Sequence, residues 1–496
     1  MVELARKVLK NLMYNFLSTF ATRFVGLIIT VILARLLDPE AFGTYMLSLS
    51  IAYLLLALSD FGINSALIRF VSYLVGINDD VGARSYFRYL FKLKLLTTVI
   101  SSSSIILFSG IVAAHVFHKP ELSTSLAIVG LFLFFMSLLD FFNSSFVSIN
   151  KFEFYLMKNS IFELSRIIAI PLFIFLIQGV YGALIGTVVS AIITLVVIIY
   201  IIFHYFSHLY IGPTSDVKFR DLSRYLSYLT LGSISGVVFV YVDSIMLGIL
   251  LPVEYVGFYR AAYNVVFAII GMVSIVNVLL PLFTQLEGRE LENAFEKLFR
   301  YSSVLGVPSA FGLVLLGEPI IKMVYGVEYL HALAPLYILS LLVISAPLDF
   351  FGTLFNAKGK PEYFAKMVLI SFTLNVILNY YLINIYGIVG AAVATVASSI
   401  FKTIALGLLS KRIFDIFPKF DVVYRSLLSS MVMALFLYIT PMPTGILSMV
   451  GTIMAAAGIY FIMIFLVKGL REEDVIYMLR ILGQDKILNW RFKDPK

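Results

Sequence analysis

The sequence predicts an all-α integral membrane protein with about fourteen transmembrane helices, arranged as two repeated six-helix lobes and two C-terminal helices. Three observations lead to this fold class. Of the 496 residues, 60% are hydrophobic and only 13% are charged, whereas soluble domains carry about 25% charged residues. Uncharged runs of about 20 residues, the length that spans a bilayer, follow one another from Asn11 to Val467. The third observation is an internal repeat.

The helices follow from these runs in order. The first run comes after three basic residues and continues to Ala34 without a small-residue cleavage site, which predicts a retained helix rather than a signal peptide. Three later runs are of double length and contain turn-forming residues near the middle, which indicates two antiparallel helices in each. The predicted helices lie near residues 11–34, 42–68, 90–114, 122–148, 154–177, 181–206, 224–250, 256–286, 299–317, 332–356, 363–384, 387–410, 422–440 and 446–467.

The positions of the basic residues predict the orientation. With the N-terminus inside, 30 of the 37 Lys and Arg residues fall on cytoplasmic segments, which are the segments that carry a Lys/Arg excess in membrane proteins. External loops and helix ends hold four, namely Arg35, Lys119, Arg260 and Lys322. Both termini are therefore predicted to be cytoplasmic and the chain to lie in the cell membrane. The same bias accounts for the net charge of +8, so no nucleic-acid partner is expected.

The composition also argues against catalysis. The chain has no cysteine, which excludes disulfides, thiolate metal sites and thiol nucleophiles. Its five histidines have no acidic partner at metalloprotease spacing, so no metal and no cofactor are expected. The predicted loops reach only about 20 residues, and loops that short rarely hold a catalytic site. A membrane-embedded glycosyltransferase or polymerase is therefore the least favoured alternative, and a transporter is favoured over an enzyme.

An internal repeat relates the first six helices to the next six. The segment LLDPEAFGTY from Leu36 agrees with LLPVEYVGFY from Leu250 at five of ten positions, at an offset of 214. The sequence LDFF begins at Leu139 and again at Leu348, at an offset of 209. Because six is even, the two copies have the same orientation in the membrane. Such copies enclose a central cavity, and one bundle can rock against the other to give alternating access.

The repeat predicts the domain boundaries. Four prolines inside predicted spans fit helices that move, although transmembrane helices tolerate proline in any case. Basic residues alternate with apolar ones between the lobes, which indicates an interfacial linker. The predicted units are an N-terminal lobe at 1–206, a cytoplasmic linker at 207–223, a C-terminal lobe at 224–413, helices 13 and 14 at 414–468, and an amphipathic cytoplasmic tail at 469–496.

Charged groups inside the membrane are candidate functional residues, because each costs about 3 kcal/mol to insert at the helix centre. Arg23 lies 12 residues from both Asn11 and Arg35, which places it near the midplane. A guanidinium there can bind phosphate oxygens in bidentate fashion. The alternative is a structural ion pair with an acid of a neighbouring helix.

Four further basic residues lie in or next to predicted spans. Arg166 follows Glu163 by one helical turn, so the two are predicted to pair, either inertly or until an anionic substrate competes. Lys402 lies within reach of the cytoplasmic interface. Arg35 and Arg260 lie at outer helix ends and are interpreted as interface anchors, with phosphate or sugar binding as the alternative. The candidate substrate-binding residues are Arg23, Arg166, Arg260 and Lys402.

Three acids are candidate coupling or portal residues. Asp140 and Asp349 occupy equivalent repeat positions and are predicted to face each other across a portal. There they would bind sugar hydroxyls or a coupling H⁺ or Na⁺, unless they are packing relics satisfied by other side chains. Asp243 has the apolar Ile29 at its repeat position. It is either an ion-coupling site or the partner of Arg23 from the other lobe.

The segment LARLLDPEAFGTYMLSLSIAYLLLALSDFGINSALIRF, from Leu33 to Phe70, resembles the N-terminal signature of the polysaccharide transporter (oligosaccharide flippase) family, as do the repeated LDFF elements. This family belongs to a superfamily with the multidrug and toxin extruders and the lipid II flippases. The resemblance implies two six-helix lobes, often with two extra helices. It also implies transfer of a polyprenyl-(pyro)phosphate-linked oligosaccharide between leaflets, for polysaccharide or glycoconjugate biosynthesis, with glycan-assembly enzymes as further candidate partners.

The resemblance leaves a second transporter class to exclude. A multidrug extruder of the same fold exchanges an organic cation for H⁺ or Na⁺ and needs acids in its cavity, whereas a carrier of anionic lipids needs arginines. The predicted spans hold three basic and four acidic groups well inside them, so charge alone does not decide. The family signature favours the flippase.

Overall fold

The structure, a computed structural model, describes residues 14, 18, 22, 24–207, 211–215, 239–273, 283, 284 and 286–470. These residues form helices joined by short turns, and no strand occurs among them. Eleven of the helices are long and apolar enough to cross a membrane. The predicted all-α membrane fold is confirmed.

Seven helices belong to the described part of the first repeat. Its helices are α1 (Phe24–Leu36), α2 (Pro39–Asp60), α3 (Ile63–Gly76), α4 (Asp80–Ile111), α5 (Leu122–Ser148), α6 (Phe152–Ile177) and α7 (Gly179–Tyr205). The Asp38 carboxylate caps α2 by accepting a hydrogen bond from the Ala41 amide at 2.7 Å. The predicted single helix at 42–68 is wrong, because Phe61 and Gly62 adopt left-handed backbone angles (φ 46° and 73°) that separate α2 from α3.

The second repeat and the two final helices follow the same pattern. They are α8 (Phe239–Leu250), α9 (Val253–Val273), α10 (Gly288–Leu315), α11 (Gly317–Val324), α12 (Val327–Ala357), α13 (Pro361–Tyr386), α14 (Ile388–Phe414), α15 (Asp421–Ile439) and α16 (Ile446–Leu466). The helix α12 is segmented, with 3₁₀ turns at Val327–Ala332 and Ala346–Asp349. The second turn contains Pro347, which cannot donate a backbone hydrogen bond.

Each of the fourteen spans predicted from the sequence overlaps a helix of the described residues. Eleven predicted spans coincide with the eleven membrane-length helices, and the other three coincide with α1, α8 and α9. The helices α1 and α8 border residues outside the described part of the chain. Most of the predicted linker at 207–223 and of the predicted tail at 469–496 also lies outside it.

One end of the bundle is named the outer face here, because the charge distribution predicts it to be external. It carries residues 35–39, 117–121, 250–253 and 322–333. The opposite end is named the inner face. Within the described residues, the main contact between the two repeats joins α2 to α9, and both helices begin at the outer face.

Two glycines allow α2 and α9 to cross closely at the outer face. A Cβ atom on Gly257 would lie 2.9 Å from the carbonyl oxygen of Pro39, and one on Gly43 would overlap the carbonyl of Val253. Gly43 and Gly257 are equivalent positions of the repeat, 214 residues apart. Because glycine has no Cβ, the two backbones can touch where any other residue would hold them apart.

Arg35 of the first repeat binds the end of a helix in the second. Its Nε and Nη2 donate to the carbonyl oxygens of Val324 and Lys322, both at 3.2 Å, and Nη2 also donates to Met323. These carbonyls lie at the C-terminus of α11, the negative end of its dipole. Arg35 is interpreted from the sequence as an anchor at the membrane interface. In the structure its hydrogen bonds join the two repeats.

Lys119 makes a second bond of this kind. Its ammonium donates to the carbonyl oxygens of Gly248 at 2.5 Å and Leu251 at 3.0 Å, at the C-terminus of α8. Burial lowers the pKa of the Lys119 ammonium, an effect that the nearby Glu121 and Glu254 oppose. The ammonium and its two carbonyl partners thus join the repeats a second time, and the outer face is closed.

Candidate functional site

A cavity of about 370 Å³ lies between the two repeats, on the inner side of the α2–α9 crossing. Side chains of α1, α2, α6, α8 and α9 line it. Three of the lining side chains are charged, namely Glu163, Arg166 and Arg260. Two arginines against one glutamate give the described wall of the cavity a net charge of +1 at neutral pH.

Arg166 enters the cavity from α6 and is neutralised locally. Its Nη1 donates to the Glu163 carboxylate at 3.0 Å, one turn earlier on the same helix. The guanidinium also lies over the ring of Phe162, with 5.4 Å between its carbon and the ring centroid. The pair predicted from the spacing is present, and a competing anion would have to displace Glu163.

Arg260 enters the cavity from α9 and is held differently. Its guanidinium lies between the rings of Tyr241 and Tyr263, 5.1 Å from each centroid. Arg260 is only 8% exposed, and no carboxylate of the described residues pairs with it. Its buried Nε has no hydrogen-bond partner in the structure. The guanidinium is therefore fixed by aromatic faces, and its charge remains available to a ligand.

The position of Arg260 corrects the sequence-based interpretation. The sequence predicts a helix that begins near residue 256, with Arg260 at its outer end as an interface anchor or, as the alternative, as a phosphate or sugar contact of an outward-facing cavity. In the structure α9 begins at Val253, so Arg260 lies two turns into the helix and points between the repeats. Because α9 begins three residues earlier than predicted, the charge of Arg260 lies at the cavity and not at the membrane interface.

Aromatic contacts extend on both sides of Arg260. The ring of Tyr53, on α2, stacks on Tyr241 with centroids 5.4 Å apart and planes at 15°. Tyr263 stacks on Phe267 at 3.9 Å and 14°. The five side chains Tyr53, Tyr241, Arg260, Tyr263 and Phe267 are named the aromatic row here. It begins in the first repeat and ends in the second.

A buried polar cluster surrounds Asp243 in the second repeat. Asp243 is 1% exposed and accepts hydrogen bonds from the Tyr259 hydroxyl at 2.7 Å, the Asn379 amide at 2.6 Å and the Thr395 hydroxyl. A carboxylate with hydroxyl and amide groups around it can take up a proton or a small hard cation. Asp243 is not among the residues that line the cavity.

The first repeat contains the same frame without the acid. The hydroxyls of Tyr45 and Thr187 are 2.9 Å apart, and those of their counterparts Tyr259 and Thr395 are 3.2 Å apart. The counterpart of Asp243 is Ile29, which is buried and apolar. The cluster around Asp243 is therefore an addition to one repeat only.

Comparison with known proteins decides the family. Residues 8–287, more than half of the chain, match the family described as polysaccharide biosynthesis protein. The chain belongs to this family. It is 30% identical over 191 residues to the probable low-salt glycan biosynthesis flippase Agl15 of Haloferax volcanii, a match that covers 37% of this chain. The matched stretch spans 40% of the length of Agl15.

Solved structures show the fold of this family member. It is similar to the lipid II flippase MurJ in an inward closed conformation, with a TM-score of 0.74, 19% identity, and coverage of 91% of this chain and 97% of MurJ. It is also similar to a multidrug resistance MATE family transporter in an inward-facing conformation, with a TM-score of 0.65, 14% identity, and coverage of 82% and 94%. Both likenesses confirm the predicted fold.

Three other predicted site residues of this family member are not among the residues that line the cavity, namely Asp140, Asp349 and Lys402. Asp140 pairs with Lys158 at 3.4 Å, and Asp349 pairs with Lys402 at 3.1 Å. The two acids were predicted to face each other, but each pairs with a lysine of its own repeat. Lys402 therefore does not join the two arginines at the cavity. Arg23 lies outside the described residues.

Five residues that contribute to these contacts were not predicted from the sequence. Lys158 is buried, at 2% exposed, although its position near the start of α6 suggested a residue of the inner surface. Tyr53 and Tyr241 support Arg260, yet nothing marks them in a chain with 29 Tyr and 44 Phe residues. For the Tyr45 and Tyr259 pair a signal existed, because the two tyrosines match in the repeat alignment.

Proposed function

We propose that the protein carries a polyprenyl-(pyro)phosphate-linked oligosaccharide across the cell membrane by alternating access, for polysaccharide or glycoconjugate biosynthesis. The observation that carries this proposal is Arg260, a buried guanidinium on the cavity wall with no carboxylate partner among the described residues. Membership of the polysaccharide biosynthesis protein family and similarity to a probable glycan biosynthesis flippase support it.

The charged groups of the cavity suit a phosphate-bearing headgroup. A diphosphate would bind Arg260 directly and would bind Arg166 by displacing Glu163. The cavity volume of about 370 Å³ lies within the range of small-molecule sites. Asn264 and Thr30 on the wall offer amide and hydroxyl groups to sugar hydroxyls. The apolar carrier chain would stay in the bilayer while the headgroup crosses. This movement makes and breaks no covalent bond, so no catalytic step is needed.

The orientation and the coupling ion are also part of this proposal. Both termini are assigned to the cytoplasm and the outer face to the exterior, on the basis of the Lys/Arg excess. The closed outer face then corresponds to a state that exchanges substrate with the cytoplasm. Asp243 is assigned to the coupling H⁺ or Na⁺. Asp140 and Asp349 are candidate portal residues whose lysine partners would release them during transport.

Arg23 and Lys402 remain candidate substrate contacts. For Arg23 the support is its midplane depth in the sequence. For Lys402 it is a position 3.1 Å from Asp349, where an anion arriving from the inner face would compete for the ammonium. A multidrug extruder receives no such support, because the one acid on the described cavity wall is already paired with an arginine.

A reconstituted flipping assay tests the proposal. Purified protein is placed in liposomes with a fluorescent polyprenyl-diphosphate-linked sugar, whose glycan is chosen from a mass spectrum of the co-purifying lipids. We expect Arg260→Ala to slow flipping at least tenfold, and Arg260→Lys to give an intermediate rate because the planar fork is lost. The matched control is Lys366→Ala, at an exposed lysine of α13, which should flip like wild type.

Two outcomes would overturn the proposal. One is a wild-type protein that leaves the labelled lipid in its original leaflet while it accumulates an organic cation such as ethidium. The other is an Arg260→Ala variant with the wild-type flipping rate. Lipid flipping and cation accumulation are measured in the same liposomes. If the wild type shows neither activity, the reconstitution itself has failed.

A further inference from the structure

The aromatic row contacts the Arg260 guanidinium on two sides, and the two sides belong to different parts of the molecule. On one side Tyr263 and Phe267 lie four residues apart on α9, the helix that also carries Arg260. On the other side Tyr241 comes from α8 and is itself stacked on Tyr53, which belongs to the first repeat. One support of the guanidinium is thus internal to its helix, and the other extends into the opposite repeat.

We propose that Tyr53 is a positioning residue for anion binding, because it sets the orientation of Arg260 through the ring of Tyr241. This inference rests on the proposed function and adds a residue that does not itself contact the arginine. Arg260 is reached in two steps, first by the stack of Tyr53 on Tyr241 and then by the contact of Tyr241 with the guanidinium.

The first step requires that Tyr53 be fixed in its own repeat. Its ring packs edge-on against Phe132 of α5, with centroids 5.7 Å apart and planes at 83°. Phe132 is fully buried in the core of the first repeat, at 1% exposed. The contact with Phe132 therefore fixes the Tyr53 ring in the first repeat. The face of Tyr53 that stacks on Tyr241 then determines where the Tyr241 ring lies.

The second step requires that the guanidinium depend on Tyr241. Arg166 has a carboxylate 3.0 Å away that sets its direction. Arg260 has no such partner among the described residues, and two tyrosine rings at 5.1 Å take that place. An aromatic face holds a desolvated guanidinium more strongly than an exposed one. If one of the two tyrosine rings were no longer fixed, the Arg260 side chain would adopt several rotamers. Anion binding would then have to select one of these rotamers.

The inference links substrate affinity to the relative position of the repeats. Tyr53 and Tyr241 belong to different repeats, so a rocking movement displaces one ring from the other. Arg260 is then less firmly oriented, and the anion is bound less tightly. A transporter needs this property, because the substrate must be bound on one side and released on the other.

The experiment measures the dissociation constant of inorganic pyrophosphate for the purified full-length protein by isothermal titration. We expect Tyr53→Leu to weaken binding about tenfold, which is the scale of one such ring contact. Tyr53→Phe keeps the ring and should bind within twofold of wild type. The matched control is Tyr200→Leu, at a tyrosine of α7 that is 65% exposed, which should bind like wild type.

The variants separate failure of this inference from failure of the proposed function. If Arg260→Ala loses pyrophosphate binding while Tyr53→Leu retains wild-type affinity, Tyr53 has no positioning role and the anion site stands. If Arg260→Ala also binds as wild type does, the anion site itself is wrong. A weakened Tyr53→Phe would likewise overturn the inference, because it would assign the effect to the hydroxyl. Should Tyr53→Leu fail to fold, Tyr53→Met, which is also flexible and apolar, replaces it.

Discussion

Arg166 and Asp243 show how single residues distinguish two repeats that share a frame. At the repeat offset of 209, the position of Arg166 is occupied by Asn375 in the second repeat, next to the cluster around Asp243. The Tyr45–Thr187 pair and the Tyr259–Thr395 pair are the same in both. Both repeats therefore place an arginine at the cavity, but the second repeat also buries an acid, Asp243, that the first lacks.

The first prediction concerns Asp243. We expect Asp243→Asn to abolish stimulation of flipping by an imposed H⁺ or Na⁺ gradient, because the amide cannot exchange a proton or neutralise a cation. Folding should be retained, since a neutral isostere replaces a buried charge. Flipping rates in liposomes with and without the gradient measure the effect. Asp415→Asn, at an exposed aspartate, is the control. Undiminished stimulation in Asp243→Asn would remove the acid from the coupling mechanism.

The second prediction concerns Glu163. This side chain is 5% exposed, and its carboxylate forms a salt bridge with the guanidinium of Arg166. Glu163→Gln should release Arg166 and tighten pyrophosphate binding roughly threefold to tenfold, since bonds from a charged donor to phosphate are strong. Isothermal titration of the two proteins measures the change. Equal affinity in both would mean that Arg166 does not contact the anion.

At this scale the sequence predicts pairs that are close along one helix and fails where partners come from distant segments. The Glu163–Arg166 pair follows from one-turn spacing, and the structure contains it. The burial of Arg260 depends on Tyr241 and on the start of α9, and neither is encoded next to Arg260. The lysine partners of Asp140 and Asp349 come from other helices for the same reason.

At the scale of elements, the crossing of α2 and α9 determines how closely the repeats approach. The two helices meet through Gly43 and Gly257, with no space for a Cβ atom on either. The sequence predicts the start of both helices to within three residues and aligns both glycines in the repeat. It could not predict that they touch, because repeat positions need not lie on the same axis.

The third prediction follows from this crossing. Gly43→Ala and Gly257→Ala should each destabilise the closed outer face by about 1–3 kcal/mol, the usual cost of an overpacked contact. The distance between spin labels on Glu121 and Val327, both exposed residues of the outer face, should lengthen in each variant. The matched control is Gly451→Ala on α16, where a Cβ meets nothing within 4 Å. An unchanged distance in both glycine variants would show that the crossing does not control closure.

At the scale of the whole molecule, two cations of the first repeat bind helix ends of the second. The fourth prediction is that Lys119→Ala, and Arg35→Ala to a similar degree, will shift the population toward an open outer face. Each variant removes two or three charge-assisted hydrogen bonds to carbonyl oxygens. The same pair of spin labels reports the shift. Retention of the closed distance in the double variant would assign closure to the aromatic and glycine contacts alone.

The fifth prediction tests the orientation on which the names of the two faces depend. Single cysteines at Asn78, Glu292 and Lys419 should be labelled only from the cytoplasm, and those at Glu121 and Val327 only from outside. The chain has no cysteine of its own, so the background is nil. Tyr329, also in an outer segment, is unsuitable because it is 1% exposed and packs on Phe42. One position labelled from the wrong side would overturn the topology.

The glycine crossing has the symmetry of a contact between identical subunits. Gly43 meets Val253, Gly257 meets Pro39, and Pro39 and Val253 are themselves equivalent at the offset of 214. In a two-fold homodimer the same patch is used on both partners in this reciprocal manner. The crossing therefore has the form of a contact that two copies of a half-length chain with one such glycine would make as a homodimer. Asp243, whose counterpart is the apolar Ile29, lies outside this symmetry.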